Sequence, residues 1–168
     1  MPTFVGIDPK ELSLSPFSLI GDSWMLITSG NTQKCNTMTA SWGGFGILWN
    51  KPVAFAFIRP QRYTFEFVEN NEYYSLSFYD EQYKDALKVC GTVSGRDIDK
   101  IEKIGFTPLF DLEAPYFEEA NLVFICKKIH GQYIDPTGFI DSSIDKNYIN
   151  NDYHKMYVGE IVKVIKKV

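Results

Sequence analysis

The most informative stretch of the chain is residues 36–44, which reads Asn36-Thr37-Met38-Thr39-Ala40-Ser41-Trp42-Gly43-Gly44. Hydroxyl-bearing and other side chains alternate along it, so an extended strand would carry three hydroxyls on one face and, on the other, Met38, Ala40 and Trp42. Buried hydroxyls need hydrogen-bond partners, and the two glycines that follow allow a backbone or a flat ligand to approach closely. The stretch therefore predicts a strand that binds a polar, planar molecule.

Segments typical of strands dominate on both sides of this stretch. Apolar or alternating runs predict further strands at residues 24–29, 53–58, 74–78, 121–129 and 156–168. Short helices are expected between them, at 65–70 after an N-cap at Thr64, at 80–89 and at 98–104. The other segments are expected to be irregular: a lead-in over 1–22, a glycine-rich loop over 43–52 and a polar excursion over 131–152. An antiparallel barrel with short helical insertions would leave no free sheet edges.

Composition sets the class of protein. At 168 residues, of which 45% are apolar, the chain is expected to form one domain over residues 1–168. Its 13 Phe, 10 Tyr and 3 Trp favour strands and pockets for flat ligands over a helical bundle. A net charge of −4 argues against a nucleic-acid partner, which would require a basic face. No apolar run approaches the roughly 20 residues of a membrane span, so no membrane partner is expected.

Cysteine and histidine usage argues against a metal site. The three cysteines, Cys35, Cys90 and Cys126, are widely spaced, no CxxC pair occurs, and no signal peptide is expected. We expect reduced thiols in a cytoplasmic protein. Two histidines, His130 and His154, are too few for a zinc cage. A lone histidine is more often solvated or satisfied in a core, and His154 gains interest only if the last strand borders the ligand.

Two basic segments could bind phosphate. Arg59 and Arg62 flank Pro60, where a buried strand ends and a helix is expected to begin. Guanidinium donors beside the free N–H groups of a helix start form a phosphate site on electrostatic grounds. Spacing alone fits two surface arginines equally well. The segment Ser94-Gly95-Arg96-Asp97 repeats this chemistry, although by itself an ordinary turn capped by Asp97 is the more favoured interpretation.

Motifs of several common enzyme classes are missing from the sequence. It contains no G-x-G-x-x-G after a strand, no phosphate-binding GxxxxGK[ST] loop, no G-x-S-x-G and no H-E-x-x-H. Nothing in it suggests a nucleophile–base triad. If the protein is an enzyme, a bound cofactor is therefore expected to carry the reaction.

Several motifs, taken in order, resemble those of the flavin reductase-like family, in its flavoredoxin-like branch. They are residues 36–42, Lys51-Pro52, residues 57–64, Leu76-Ser77-Phe78, Cys90-Gly91, residues 94–100, and His154 followed by residues 157–162. No single motif is specific, but the combination is. The resemblance covers residues 24–165 and is weakest between 106 and 152.

This resemblance implies an FMN-binding split β-barrel, a Greek-key-like antiparallel barrel, in a homodimer with the flavin near the subunit interface. The matching strand would contact the flavin ring through backbone N–H groups and hydroxyls, and the two basic motifs would hold the ribityl chain and phosphate. The residues implied to bind the cofactor are Met38, Thr39, Ala40, Ser41, Trp42, Arg59, Arg62, Tyr63, Thr64, Cys90, Ser94, Gly95 and Arg96. His154 would lie on the nicotinamide side.

The sequence thus predicts an FMN-binding oxidoreductase that passes reducing equivalents from NADH or NADPH to flavin and on to an unidentified acceptor. Donors at the end of the 36–44 strand would face the pyrimidine edge, where negative charge gathers on reduction, and Gly43 and Gly44 would keep the other face clear. The bulky run Trp42-Gly43-Gly44-Phe45-Gly46 departs from the family and leaves the partner reaction open. Two alternatives remain: a flavoredoxin-type electron carrier without a nicotinamide site, and a non-catalytic barrel that binds another small molecule.

Overall fold

Ten β-strands form most of the fold in the computed structural model, which describes residues 2–168. They are β1 (Phe4–Ile7), β2 (Met25–Gly30), β3 (Cys35–Ala40), β4 (Gly43–Leu48), β5 (Lys51–Ile58), β6 (Tyr73–Phe78), β7 (Pro108–Leu109), β8 (Tyr116–Phe117), β9 (Leu122–Tyr133) and β10 (Lys155–Lys167). The same residues contain three α-helices: α1 (Tyr63–Asn70), α2 (Lys84–Thr92) and α3 (Lys100–Ile104). Shorter helical turns are a π-helical turn at Phe17–Asp22 and 3-10 turns at Pro9–Glu11, Glu81–Tyr83, Pro136–Gly138 and Ser142–Asn147.

Eight of the strands described form one antiparallel sheet. Its order is β3-β2-β6-β9-β10-β5-β4, and β1 pairs with the C-terminal half of β10. Within residues 2–168, the end strands β3 and β4 do not pair with each other, and β7 and β8 form a separate two-stranded ribbon. The prediction of a mainly β, antiparallel fold with short helical insertions is confirmed.

The sheet curls into a barrel that is open along a seam between β3 and β4. Phe45 of β4 and Phe124 of β9 lie on strands with two others, β10 and β5, between them, yet their ring centroids are 5.3 Å apart in an edge-to-face contact. A Cβ on Gly43, at the start of β4, would lie 3.2 Å from the Met25 Cε of β2. The two ends of the sheet therefore approach each other around a filled interior.

Alternation along the strands divides the core into two layers. Phe124 and Cys126 of β9 belong to the inner cluster, whereas Val123 and Ile125 belong to an outer cluster that includes Leu87 of α2. This alternation was predicted for β9 and is what a strand with two covered faces requires. The helix α2 and the segment that contains β7 and β8 thus cover the outer face of the sheet.

The predicted loop over residues 43–52 is wrong. Most of it is β4, which forms a hairpin with β5 in which Leu48 pairs with Lys51. The two residues between them, Trp49 and Asn50, have φ of +52° and +58°, as a type I′ turn requires. Asn-Gly is the usual sequence of a type I′ turn, so the sequence Trp49-Asn50 did not indicate one.

The lead-in over residues 1–22 is also more ordered than predicted. β1 pairs with the C-terminal half of β10 over four residue pairs, from Phe4–Lys167 to Ile7–Val164, and Phe17–Asp22 form the π-helical turn. A partner about 160 residues away leaves no local periodicity to detect. Within residues 2–168 no helix is both long enough and apolar enough to span a membrane.

Several element boundaries differ from the prediction. β3 ends at Ala40, so Ser41 and Trp42 lie in the connection to β4 rather than in the strand. β9 extends to Tyr133, into the expected excursion, and α2 begins at Lys84 after a 3-10 turn rather than at residue 80. α3 begins at Lys100 rather than at residue 98, and its N-cap is Asp99, whose carboxylate accepts from the Glu102 N–H at 3.0 Å.

The N-cap predicted at Thr64 is wrong. The N-cap of α1 is Arg62, which makes no capping bond through its side chain, and Thr64 lies inside the first turn. The buried Thr64 hydroxyl instead accepts a hydrogen bond of 2.8 Å from the Asn36 side-chain amide of β3. Tertiary contact with β3 therefore uses the hydroxyl that the sequence pattern assigned to the helix start.

Candidate functional site

A cleft of about 240 Å³ opens where β3 ends, at the seam of the barrel. It is lined by Met38, Thr39, Ala40, Ser41, Trp42, Phe57, Arg59, Arg62 and His154. All of these except Phe57 are residues that the sequence analysis proposed for the site. Three separate parts of the sequence, the end of β3, the connection from β5 to α1 and the start of β10, thus meet in one place.

A second cleft of about 450 Å³ lies on the other side of the basic motifs. Tyr63, Gly95 and Arg96 line it together with the turn between β2 and β3 and with Lys100. Neither cleft is lined by the remaining candidates, Thr64, Cys90 and Ser94. The Cys90 side chain is buried and burial raises the pKa of its thiol to about 11, while the Ser94 hydroxyl accepts from the Arg96 N–H at 3.2 Å.

The hydroxyls of β3 are largely used inside the protein. Thr37 lies 2.8 Å from the Thr28 hydroxyl and donates to the Ile27 carbonyl, and Thr39 donates to the Leu87 carbonyl of α2. Ser41, just beyond the strand, is exposed. Because β3 is an end strand, the backbone groups on its outer side have no neighbouring strand within residues 2–168. Backbone groups and Ser41 are therefore the donors available to a ligand, rather than the Thr39 hydroxyl.

Two of the three candidate arginines already have carboxylate partners. Arg59 forms an ion pair of 2.8 Å with Asp152 and donates to the Asn147 carbonyl at 3.0 Å. Arg96 is paired with Glu66, and its guanidinium carbon lies 4.8 Å from the centre of the Tyr63 ring. Carboxylate pairing compensates both charges, so these side chains have less to gain from a phosphate.

Half-buried Arg62 and buried Lys100 form a pair of cations at the C-terminus of α2. Arg62 donates to the carbonyls of Cys90 and Gly91 at 3.0 and 3.1 Å, and the Lys100 ammonium donates to Cys90 and Val93 at 3.2 and 3.3 Å. Across residues 2–168, neither has a carboxylate within ion-pair distance. Carbonyls at a helix C-terminus stabilise a cation only partly.

The electrostatics of this pair favour the binding of an anion. Lys100 is only 2% exposed, and burial together with the charge of Arg62 lowers the pKa of Lys100 to about 8. Burial also lowers the pKa of Arg62 below its ordinary value. Two like charges on one carbonyl, one buried and one half-buried, are unfavourable, and a bound anion would stabilise them. Sequence reasoning missed Lys100 as a site residue, although its position as the last residue of the 94–100 motif was a signal.

His154 lies on the opposite wall of the first cleft and is buried. Its Nδ1 is 2.8 Å from the Tyr148 hydroxyl, and its ring lies 5.3 Å from the Trp42 ring and 6.4 Å from the Phe57 ring. Burial first, and then the charge of Arg59, lower the pKa of His154 to about 4. The imidazole is therefore neutral at physiological pH.

The model of the flavin reductase like domain matches residues 17–167. The chain belongs to the flavin reductase-like family. It is similar to a flavoredoxin from Methanosarcina acetivorans, with 22% identity, a TM-score of 0.65 and coverage of 84% of this chain and 67% of that one. No curated protein matches the chain.

Two further solved structures show the same fold. An FMN-binding domain of a flavin reductases-like enzyme from Shewanella baltica has 15% identity and a TM-score of 0.69 over 98% of this chain and 78% of that one. The Streptomyces globisporus NADH:FAD oxidoreductase, in complex with NAD and FAD fragments, has 13% identity and a TM-score of 0.62 over 86% and 74%. The open antiparallel barrel of this flavin reductase-like chain is thus the split β-barrel of its family.

Burial of His154 predicts that this flavin reductase-like protein loses stability in mild acid. The unfolded state takes up a proton at pH values below about 6.5, whereas folded His154 does so only near pH 4. The unfolded state therefore binds more protons in this window, and the free energy of unfolding falls as pH falls. His154 should account for about 2 kcal/mol of the fall in the free energy of unfolding between pH 7 and pH 5. Urea unfolding at the two pH values measures this fall.

Two variants isolate this contribution. Between pH 7 and pH 5, the free energy of unfolding of His154→Asn should fall by about 2 kcal/mol less than that of the wild type, because the variant has no buried imidazole that resists protonation. The exposed His130 provides the matched control, and His130→Asn should lose as much as the wild type. An equal loss in wild type and His154→Asn would contradict the assignment.

Proposed function

We propose that the chain binds FMN and passes reducing equivalents from NADH or NADPH to the flavin and on to a further acceptor. The observation that carries this proposal is the pair of cations without carboxylate partners, half-buried Arg62 and buried Lys100, beside the aromatic cleft at the end of β3. Arg62 lines the first cleft, Lys100 lines the second, and both donate to the Cys90 carbonyl. One end of the site thus suits a phosphate and the other a flat ring.

The donor set fits FMN. The ring would lie against the end of β3, where Ser41 and the free backbone edge offer donors to the pyrimidine side. Arg62 and Lys100 would hold the phosphate, in place of the sequence-based assignment to Arg59, Arg62 and Thr64. A bound flavin would supply the hydride and electron transfer that the side chains themselves cannot. The protein's part is to bind, orient and exclude water.

A nicotinamide would be expected on the side of Trp42 and His154. A neutral His154 does not repel a nicotinamide ring, and the Streptomyces globisporus relative binds NAD fragments. One observation favours the carrier function instead. Trp42, half exposed, lies with its ring 5.3 Å from His154 and so covers part of this wall of the cleft. The carrier is therefore the second candidate.

An anaerobic titration of the FMN-loaded protein with NADH and with NADPH separates these functions. The reductase proposal expects one of them to bleach the flavin absorbance. If dithionite bleaches it but neither nicotinamide does, the protein is an electron carrier.

Trp42→Ala tests the cause, because a flavin that NADH bleaches only in this variant shows that Trp42 excludes the nicotinamide. Trp49→Ala, an exposed tryptophan that does not line the cleft, is the control. A protein that takes up no FMN at micromolar concentration overturns the proposal.

We also propose that the chain works as a homodimer in which the end strand β4 lies near the interface. Ile47 of β4 and Trp49 in the adjoining turn are more than half exposed, an arrangement that favours burial against a partner. Light scattering should give twice the chain mass, and Ile47→Glu should shift it toward the monomer. Ile140→Glu, at an exposed site in the 3-10 region, should not.

The proposal includes a cytoplasmic location. Cys35, Cys90 and Cys126 are all free thiols. Free thiols suit a reducing compartment, and so does low-potential electron transfer. Residues 2–168 contain no group of three His, Cys, Asp or Glu side chains placed to hold a metal. Fractionation of cells that produce the protein would test the location.

A further inference from the structure

The buried contact between Tyr148 and His154 lies beside the candidate flavin cleft. The Tyr148 hydroxyl is 2.8 Å from His154 Nδ1, and the rings meet edge to face with centroids 5.4 Å apart. Tyr148 follows the 3-10 turn at Ser142–Asn147 and is 5% exposed, while His154 is 7% exposed. Tyr148 belongs to the part of the chain where the family resemblance is weakest, so no motif pointed to it.

The direction of this hydrogen bond follows from which hydrogens would be left without an acceptor. If Nδ1–H donated to the tyrosine oxygen, the phenol hydrogen would be buried with no other acceptor among the described residues. If the phenol donates to Nδ1, the phenol hydrogen is satisfied, and only the imidazole hydrogen is left without a partner among the described residues. Phenol is also a good donor and a poor acceptor, and a bare imidazole nitrogen is a good acceptor. The second arrangement puts the imidazole hydrogen on Nε2.

Tyr148 is held firmly enough to impose this arrangement. The Arg59 guanidinium carbon lies 5.0 Å from the centre of its ring, and the Tyr153 ring lies 4.9 Å away on centroids. Arg59 is itself fixed by its ion pair with Asp152 and its bond to the Asn147 carbonyl. The phenol therefore has little freedom to turn away from His154.

The charged groups around His154 keep it neutral. Burial and then the charge of Arg59 lower the pKa of His154, and Asp152 opposes them. Burial raises the pKa of Tyr148, and the hydrogen bond to Asp145 raises the pKa of Tyr153, so both remain neutral phenols at physiological pH. A neutral imidazole with a fixed Nε2–H donates a hydrogen bond but does not deliver a proton. Its second nitrogen is the polar atom that remains for a ligand in the cleft.

We propose that Tyr148 is a positioning residue that holds His154 as the neutral Nε2–H tautomer, so that the cleft presents a hydrogen-bond donor to the second ligand. The ligand class that this donor selects carries a carbonyl or carboxamide oxygen, as a nicotinamide does. The ligand part of the proposal rests on the proposed function. The tautomer part does not, because it concerns the protein alone.

Two-bond ¹⁵N–¹H correlation spectra of the uniformly labelled protein test the tautomer directly. The chain has two histidines, so exposed His130 serves as the internal reference. We expect His154 to show the Nε2–H pattern without titrating from pH 5.5 to 8. In Tyr148→Phe the pattern should change toward the Nδ1–H tautomer. An Nδ1–H pattern in the wild type, or an unchanged pattern in Tyr148→Phe, overturns the proposal. An Nδ1–H pattern in the wild type would overturn the proposal even if that variant fails to fold.

Kinetics on the FMN-loaded protein test the ligand part. Tyr148→Phe should raise the KM for the active nicotinamide about threefold to tenfold, the worth of one neutral hydrogen bond, with kcat within twofold. Tyr153→Phe is the matched control, since its hydroxyl bonds to Asp145 at 2.7 Å, and it should change neither KM nor the His154 spectrum. An unchanged KM in Tyr148→Phe, with an altered tautomer, overturns the ligand part. If neither nicotinamide reduces the flavin, the proposed function fails while the spectra still decide the tautomer.

Discussion

Lys100→Met should weaken FMN binding by about 10- to 150-fold and leave riboflavin binding unchanged. A hydrogen bond to a charged group contributes about 1.5–3 kcal/mol, and riboflavin lacks the phosphate that would accept it. Burial of Lys100 beside Arg62, with carbonyls as its partners, is what makes the site depend on an anion. Quenching of flavin fluorescence, titrated with FMN and with riboflavin, measures both affinities.

The stability of the apoprotein distinguishes a binding role from a structural one. The lowered pKa of Lys100 means that folding disfavours its charge at pH 7, so the apo form of Lys100→Met should be at least as stable as the wild type. Lys103, exposed on the same helix α3, supplies the matched control, and Lys103→Met should change neither affinity nor stability. Equal weakening for FMN and riboflavin, or destabilisation without any change in affinity, would refute a phosphate contact.

The other basic residues extend this test. Arg62→Ala should act in the same direction as Lys100→Met, although it also removes two hydrogen bonds to the end of α2. Arg96→Ala should change FMN affinity by less than about threefold, because Arg96 is exposed and paired with Glu66. The contrast between Arg62 and Arg96 would decide which of these two arginines contacts the phosphate.

The sequence was informative where a pattern is local. The alternation of β9 and the hydroxyl-rich end of β3 predicted the sheet. The motifs grouped Ser41, Trp42, Arg62 and His154 as candidates, and these four residues line one cleft. Pairings over long distances were beyond its reach. Arg59 and Asp152 are 93 residues apart, and no local pattern shows that one neutralises the other. The same holds for the pairing of β1 with β10 and for the hydrogen bond from Asn36 to Thr64.

The role of Lys100 was missed for a different reason. Its position at the end of a recognised motif was visible, but whether a lysine is buried without a carboxylate depends on the whole fold. Trp49-Asn50 shows the opposite case, in which the strand signal of β4 was present but an unusual turn masked it. Predictions thus fail at some positions because the local sequence is unusual and at others because the outcome depends on tertiary contacts. The candidate site depends more on tertiary contacts.

Gly159 shows how the structure supplies a reason for a residue that the sequence offered only as part of a motif. It lies in β10 beside a shift in register against β9, and a Cβ there would be 2.3 Å from the Tyr74 hydroxyl and 2.9 Å from the Cys126 Cβ. Tyr74 is fully buried and its hydroxyl has no hydrogen-bond partner among the described residues. Any side chain at this position would therefore force the core apart.

Gly159→Ala should lower the free energy of unfolding by about 3 kcal/mol, the upper part of the range for overpacking a core. For a chain of this size, that corresponds to a fall in Tm of about 6–12 °C, which calorimetry would measure. Gly44→Ala in β4 is the control, because a Cβ there meets no atom within 4 Å. Tyr74→Phe removes the clashing oxygen and an unpaired buried hydroxyl, so added to Gly159→Ala it should restore more than half of the loss. A double variant no more stable than Gly159→Ala would place the strain elsewhere in the barrel.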